Sequence, residues 1–304
     1  MKGKYLWFAA ISAMSAHFQA NAQLASNEED TSQTEPSIIE KRIASEKKAI
    51  NDPFVITQMR PNYILPYTYI DNPNQLGSSE SNEGNIEHNE AKYQLSVKMP
   101  LYNPGSDSLE GLYFGFTAVS YWQVYNSEIS KPFRETNYEP EVYYTWQQNL
   151  RILGVKFNFV QLGLNHQSNG QSGDRSRSWN RAYVNFLFTD NDDLYGLKVW
   201  YRFKEDPKDE PTDPVGDDNP DITHYLGHFE FIHAAKFGDW QLATSWRNNL
   251  NLHDNKGSVE LNLTYPLSEK YELLFQYFNG YGDSLIDYNR QQQRVGLGIQ
   301  LSFL

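Results

Sequence analysis

The sequence predicts an all-β fold: a transmembrane antiparallel β-barrel of twelve strands, with long extracellular loops and short periplasmic turns. Three observations carry this expectation. Long stretches alternate apolar and polar residues with period two. Aromatic residues make up 15% of a chain whose hydrophobic content is only 39%. A barrel wall needs apolar residues at alternate positions only, plus aromatic girdles at the two interfaces, so it reconciles those two figures. The gaps between alternating stretches are themselves mostly long and short in turn, which a soluble β-sandwich has no reason to maintain.

The rest of the composition narrows the function. Past the N-terminus no stretch approaches the roughly 20 apolar residues of a spanning helix. Absence of cysteine excludes a disulfide framework, a cysteine zinc site and a thiol nucleophile. A net charge of −12 argues against a nucleic-acid partner, whose phosphates need a basic surface.

Residues 1–22 read as a secretory signal peptide: Lys2 and Lys4, an apolar core from Tyr5 to Met14, and the small-x-small site Ala20-Asn21-Ala22. Residues 23–50 are polar and charged, without alternation, and read as a flexible periplasmic lead with one short helical turn. The barrel then occupies 51–304, with a catalytic site on its outer rim. Its strands are expected at 62–71, 92–103, 111–125, 139–148, 154–166, 179–189, 194–204, 224–236, 239–252, 256–267, 270–281 and 292–304. The last is the clearest: Val295, Leu297, Ile299 and Leu301 share one face, and Arg294, Gly296, Gly298 and Gln300 the other.

Parity along the strands singles out three residues. Val160, Leu162 and Leu164 form the lipid face of the fifth strand, and the next two positions on that face are His166 and Ser168. Ala182, Val184, Phe186 and Phe188 form the lipid face of the sixth, and one step back lies Asn180. Polar groups aimed at hydrocarbon are costly, which makes them functional candidates. The competing reading places them in the headgroup layer, where polarity is ordinary. Chemistry favours function. A serine attacks an ester only if a base takes its proton, and histidine is that base near neutrality. An asparagine carbonyl can orient the imidazole. His and Ser at i and i+2 share a strand face about 7 Å apart.

The run from His166 to Arg181, HQSNGQSGDRSRSWNR, resembles the signature of bacterial outer membrane phospholipase A. So do PFRETNYEP at 132–140, DNPDIT at 218–223 and GYGDSLIDYN at 280–289. The resemblance implies a calcium-dependent hydrolase of acyl esters in phospholipids and lysophospholipids, active as a reversible homodimer in the Gram-negative outer membrane, with its site at the outer leaflet. It implies Ser168 as nucleophile, His166 as base, Asn180 as the orienting residue and the Gly170 amide in the oxyanion hole. It implies calcium ligands at Ser176, at the Gln171 carbonyl, at the Ser130 carbonyl of the other subunit, and a calcium-linked carboxylate at Asp218. Four departures from the family pattern stand out: Gln171 in place of arginine, Gly173 in place of an acid, Ala118 in place of a glutamine at the dimer contact, and a C-terminal Leu304. The alternative from a different class is a passive or structural barrel, porin-like and without hydrolase activity. The acidic run Asp190–Asp193 reads as an ordinary periplasmic turn, and His224 with His228 as no metal pair.

Overall fold

The computed structural model describes residues 38–49, 55–76, 84–105, 108–129, 133–210, 213 and 215–302. The expected signal peptide, Ser130 and the last two residues lie outside this set. One antiparallel sheet dominates. Strand β1 (Thr57–Gln58) is a two-residue addition to β3. The other strands are β2 (Tyr63–Ile70), β3 (Asn89–Tyr102), β4 (Gly111–Trp122), β5 (Phe133–Ile152), β6 (Val155–Ser168), β7 (Ser178–Asp190), β8 (Asp193–Phe203), β9 (Phe229–Phe237), β10 (Trp240–Asn248), β11 (Gly257–Pro266), β12 (Tyr271–Gly280) and β13 (Gln292–Leu301). Each of these twelve pairs with its neighbours in sequence, and β13 pairs with β2, so the sheet closes and has no free edge.

The faces follow from the alternation. In β13 buried and exposed residues strictly alternate. The exposed set is apolar, Val295, Leu297, Ile299 and Leu301, while Arg294 is fully buried inside. An apolar exterior around a polar interior is the inverse of a soluble protein and suits a wall that faces lipid. Connections at one end are tight. Leu153-Gly154 between β5 and β6 has positive φ at both residues, 53° and 89°, the geometry that matches strand twist in a two-residue hairpin. Asp190 and Asp193 pair across another two-residue turn, in which Asn191 takes φ 52°, as expected. The other end carries the long loops, 71–88, 169–177 and 204–228 among them.

Ion pairs cross the lumen around a cavity of about 160 Å³ lined by Arg60, Lys92, Glu139, Lys198 and Asp283. Arg134 donates to Glu90 and Asp287, and Arg294 binds Glu90 and Asp283, with all five side chains buried. Lys92 also reaches Asp283. Arg60, itself 35% exposed, bridges the buried Glu139 and Glu141. Buried charges persist only when paired and hydrogen-bonded, and here each ion closes on partners from distant strands.

Three local differences from the sequence expectation have physical causes. Strand β5 begins at Phe133, six residues earlier than expected. Its first residues are polar because Arg134, Glu135 and Asn137 point inward and find partners across the lumen in Asp287 and the Ile286 and Leu285 amides. Residues 224–226 belong to a short helix, α2 (Ile222–Leu226), whose Ile222 and Leu226 cap an aromatic cluster of Trp179, Trp200 and Tyr288. The polar lead contains a twelve-residue helix, α1 (Ile38–Ala49). It is held by Arg42 on the Gln58 carbonyl and by Glu46 on Lys98, at 2.8 and 2.7 Å.

Candidate active site

Strands β6 and β7 build the site. Their register places His166 directly opposite Asn180, and Ser168 opposite Ser178. The lumen-facing residues between them lock that register. Asn165 accepts from Arg181 at 3.0 Å, and Trp179 Nε1 donates to Gln167 at 2.8 Å. The Arg181 guanidinium stacks 3.9 Å from the centre of the Trp179 ring, a contact that gains strength when desolvated. A one-residue slip would reverse every side chain, so these buried pairs also fix what stands on the outer face.

On that outer face His166 is exposed, and its Nδ1 lies 2.8 Å from Asn180 Oδ1. An amide oxygen only accepts, so Nδ1 carries the proton and donates it. Nε2 is then left free to act as a base. Ser168 lies two residues along the same face. Among the described residues no hydrogen bond joins its hydroxyl to His166. Catalytic contacts are commonly loose before substrate binds. The expected outward parity of all three residues holds.

The loop that follows is organised by a residue the sequence reading did not single out. Asn169 is buried, and its side chain accepts from the Gln171 and Arg177 amides and donates to the Arg175 carbonyl. It also reaches Glu135 in the lumen. Gly170 takes φ +65°, and its N–H donates to no described residue. Within this loop Gln171 lies beside the Asn169 hub, and Ser176 closes a turn onto the Gly173 carbonyl.

A second loop brings acid to Ser176. Asp218 Oδ2 accepts from Ser176 Oγ at 2.7 Å and Ser178 Oγ at 3.1 Å, while Lys208 Nζ lies 2.6 Å from Oδ1. Burial alone would raise the Asp218 carboxyl, but the hydrogen bonds from Lys208, Ser176 and Ser178 outweigh it and hold the group below the usual carboxylate range. The neighbours of Asp218 have structural tasks. Asp217 binds Arg202, Asn219 accepts from the Ser178 amide, and Asp221 accepts from Tyr288. His224 pairs with Asp254, on α2 rather than on a strand. Among the described residues no three His, Asp or Glu side chains converge as a metal cage. The Ser176, Ser178 and Asp218 oxygens are nonetheless the hard donors that calcium prefers, and the lysine ammonium already drawn to them shows a spot that favours positive charge.

A closed barrel with an apolar wall, a lumen crossed by ion pairs and a histidine–asparagine pair on its outside points to an outer-membrane hydrolase rather than a channel. Comparison with known proteins is specific. The phospholipase A1 family profile matches residues 39–301. Phospholipase A1 of Escherichia coli (strain K12) is 37% identical over 275 residues, covering 88% of this chain and 89% of that protein. Phospholipase A1 of Salmonella typhimurium is 35% identical over 270 residues, covering 88% of both. Among solved structures, outer membrane phospholipase A from Escherichia coli superposes with a TM-score of 0.73 at 36% identity, covering 82% of this chain and 99% of that one. The Salmonella typhi outer membrane phospholipase dimer with bound calcium gives 0.75 at 34%, covering 86% and 96%. The chain belongs to the phospholipase A1 family, carboxylic ester hydrolases of the Gram-negative outer membrane. The passive-barrel alternative is thereby set aside.

Proposed function

We propose that the protein hydrolyses acyl ester bonds of phospholipids and lysophospholipids through Ser168, His166 and Asn180, from the outer leaflet. The observation that carries this reading is the 2.8 Å His166–Asn180 pair, on the lipid-facing side and one alternation from Ser168. His166 Nε2 takes the Ser168 proton as Oγ attacks the ester carbonyl. The imidazolium keeps its Nδ1–H on Asn180, and the Gly170 N–H faces the developing oxyanion. His166 returns the proton to the departing alcohol, leaving an acyl-serine. Water, activated by the same base, then releases the fatty acid.

Calcium fits the chemistry of the neighbouring loops. Ser176 and Asp218 would hold it, with the Gln171 carbonyl and, in a dimer, Ser130 of the partner subunit. When bound it supplies positive charge beside the oxyanion. Reversible dimerisation would complete the site only where two barrels meet, an off state that a lipase resident in its own substrate requires. The relative crystallised as a calcium-bound dimer supports this reading.

The test is fatty-acid release from phospholipid micelles by the refolded chain, with calcium or with chelator. Wild type is expected to be active in calcium. Ser168→Ala is expected to keep the heat-modifiable gel migration of a folded barrel and to lose nearly all hydrolysis. A sulfonylating reagent should label Ser168. Full activity of Ser168→Ala would end the proposal.

A further inference from the structure

We infer that Glu205 is a positioning residue of this site, the fourth member of a chain Ser168–His166–Asn180–Glu205. The inference rests on the Ser-His-Asn reading. Glu205 lies two residues beyond the end of β8, and β8 brings Phe203 opposite Asn180. Asn180 Nδ2 donates to Glu205 Oε1 at 3.0 Å. The carboxylate is half-buried and has no other side-chain partner among the described residues.

The physical need is specific to an asparagine. Its two amide termini are almost the same size, and rotation by half a turn exchanges them. In one orientation the oxygen accepts from His166. In the other the NH2 group meets the His166 N–H, donor against donor, and the imidazole loses its anchor. Interaction with His166 alone biases this choice only as strongly as one exposed hydrogen bond. Glu205 removes the ambiguity, because a carboxylate can only accept. It binds the NH2 and would repel the oxygen, so the catalytic orientation is selected from both ends of the amide.

The charge has a second effect. A carboxylate on the N–H polarises the amide and makes its oxygen a better acceptor, as in any chain of hydrogen bonds. Negative charge is thus delivered toward the imidazolium through a neutral relay. The same arrangement accounts for an amide at position 180. A carboxylate there would stand about 3 Å from Glu205, and two carboxylates that close cannot both remain ionised.

The experiment measures kcat and KM for micellar phospholipid in saturating calcium. Each full-length variant is first checked for the folded barrel by heat-modifiable migration. Glu205→Ala should lower kcat about ten-fold with KM unchanged, the loss of one charge-assisted contact. Glu205→Gln should recover only part of that loss, since its carbonyl can still accept but its own amide can turn either way and its charge is gone. In an Asn180→Ala background, Glu205→Ala should have no further effect, because the amide it orients is gone. Asn180→Asp should be severely impaired, and Glu205→Gln added to it should restore activity at least several-fold by replacing repulsion with a donated hydrogen bond. The inference is overturned if Glu205→Ala stays within two-fold of wild-type kcat, if its effect adds fully to that of Asn180→Ala, or if the Asn180→Asp/Glu205→Gln pair is no better than Asn180→Asp. Ser168→Ala is the control that separates the two ideas: if it hydrolyses lipid normally, the Ser-His-Asn reading itself fails.

Discussion

With calcium held at Ser176 and Asp218 as proposed, replacing Lys208 by methionine should lower the calcium concentration needed for activity. Lys208 places its ammonium 2.6 Å from Asp218 Oδ1, with both side chains about nine-tenths buried. It therefore occupies, from within the chain, the electrostatic position that a divalent cation would claim. Binding calcium at Ser176 and Asp218 requires the ammonium to leave or to tolerate a second positive charge beside it. The cost of breaking a charge-assisted hydrogen bond of this kind is about 1.5–3 kcal/mol. At roughly 1.4 kcal/mol per ten-fold, its removal should shift the half-saturating calcium concentration down by about 10- to 100-fold. Methionine keeps the length and apolar stem, so the loop should stay packed. Two measurements check this: a direct binding titration with calcium or luminescent terbium, and fatty-acid release across the same calcium range. An unchanged or raised calcium requirement in both would refute the reasoning, because Asp218 would then be shown to bind no cation that Lys208 opposes.

Other outcomes follow from the same geometry. Asn180→Ala should reduce kcat by about 10- to 100-fold, the value of one hydrogen bond to an imidazolium, and still leave measurable turnover; a loss equal to that of Ser168→Ala would contradict an orienting role. Ser176→Ala should raise the calcium requirement and weaken calcium-dependent cross-linking of dimers, with the monomer still folded. Asn169→Ala should leave the barrel intact yet lower kcat, since the 169–177 loop loses its buried hub; a variant with wild-type kinetics would show that strand ends alone set the loop. Glu90→Ala leaves Arg134 on Asp287 and Arg294 on Asp283 with one buried carboxylate fewer between them, and should cost about 3–5 kcal/mol of stability, read as a lower temperature for loss of the folded gel band.

Period-two alternation is a local property, and it was enough to assign faces. From it came the strand count, the lipid-facing stripe of β13 and the outward parity of His166, Ser168 and Asn180. Where a strand's partners lie across the lumen the signal failed. Arg134, Glu135 and Asn137 look like loop in one dimension, because nothing local announces that Glu90, Asp287 and the Leu285 amide await them. The helix α1 was hidden for a similar reason: its charged residues are held by Gln58 and Lys98 rather than by a strong apolar face.

Sequence by itself determined which side chains can point at lipid and which at the lumen, since backbone geometry sends successive residues to opposite faces whatever their partners. Only the tertiary structure decided which of them meet. The pairing of His166 with Asn180 depends on register, and register depends on the buried Asn165–Arg181 and Gln167–Trp179 contacts behind it. Glu205 and Lys208 reach the site from a long loop whose course no periodicity encodes. They arrive because Asp217 and Asn219 tie that loop to Arg202 and to the start of β7, and such long-range hydrogen bonds exist only once the barrel has closed.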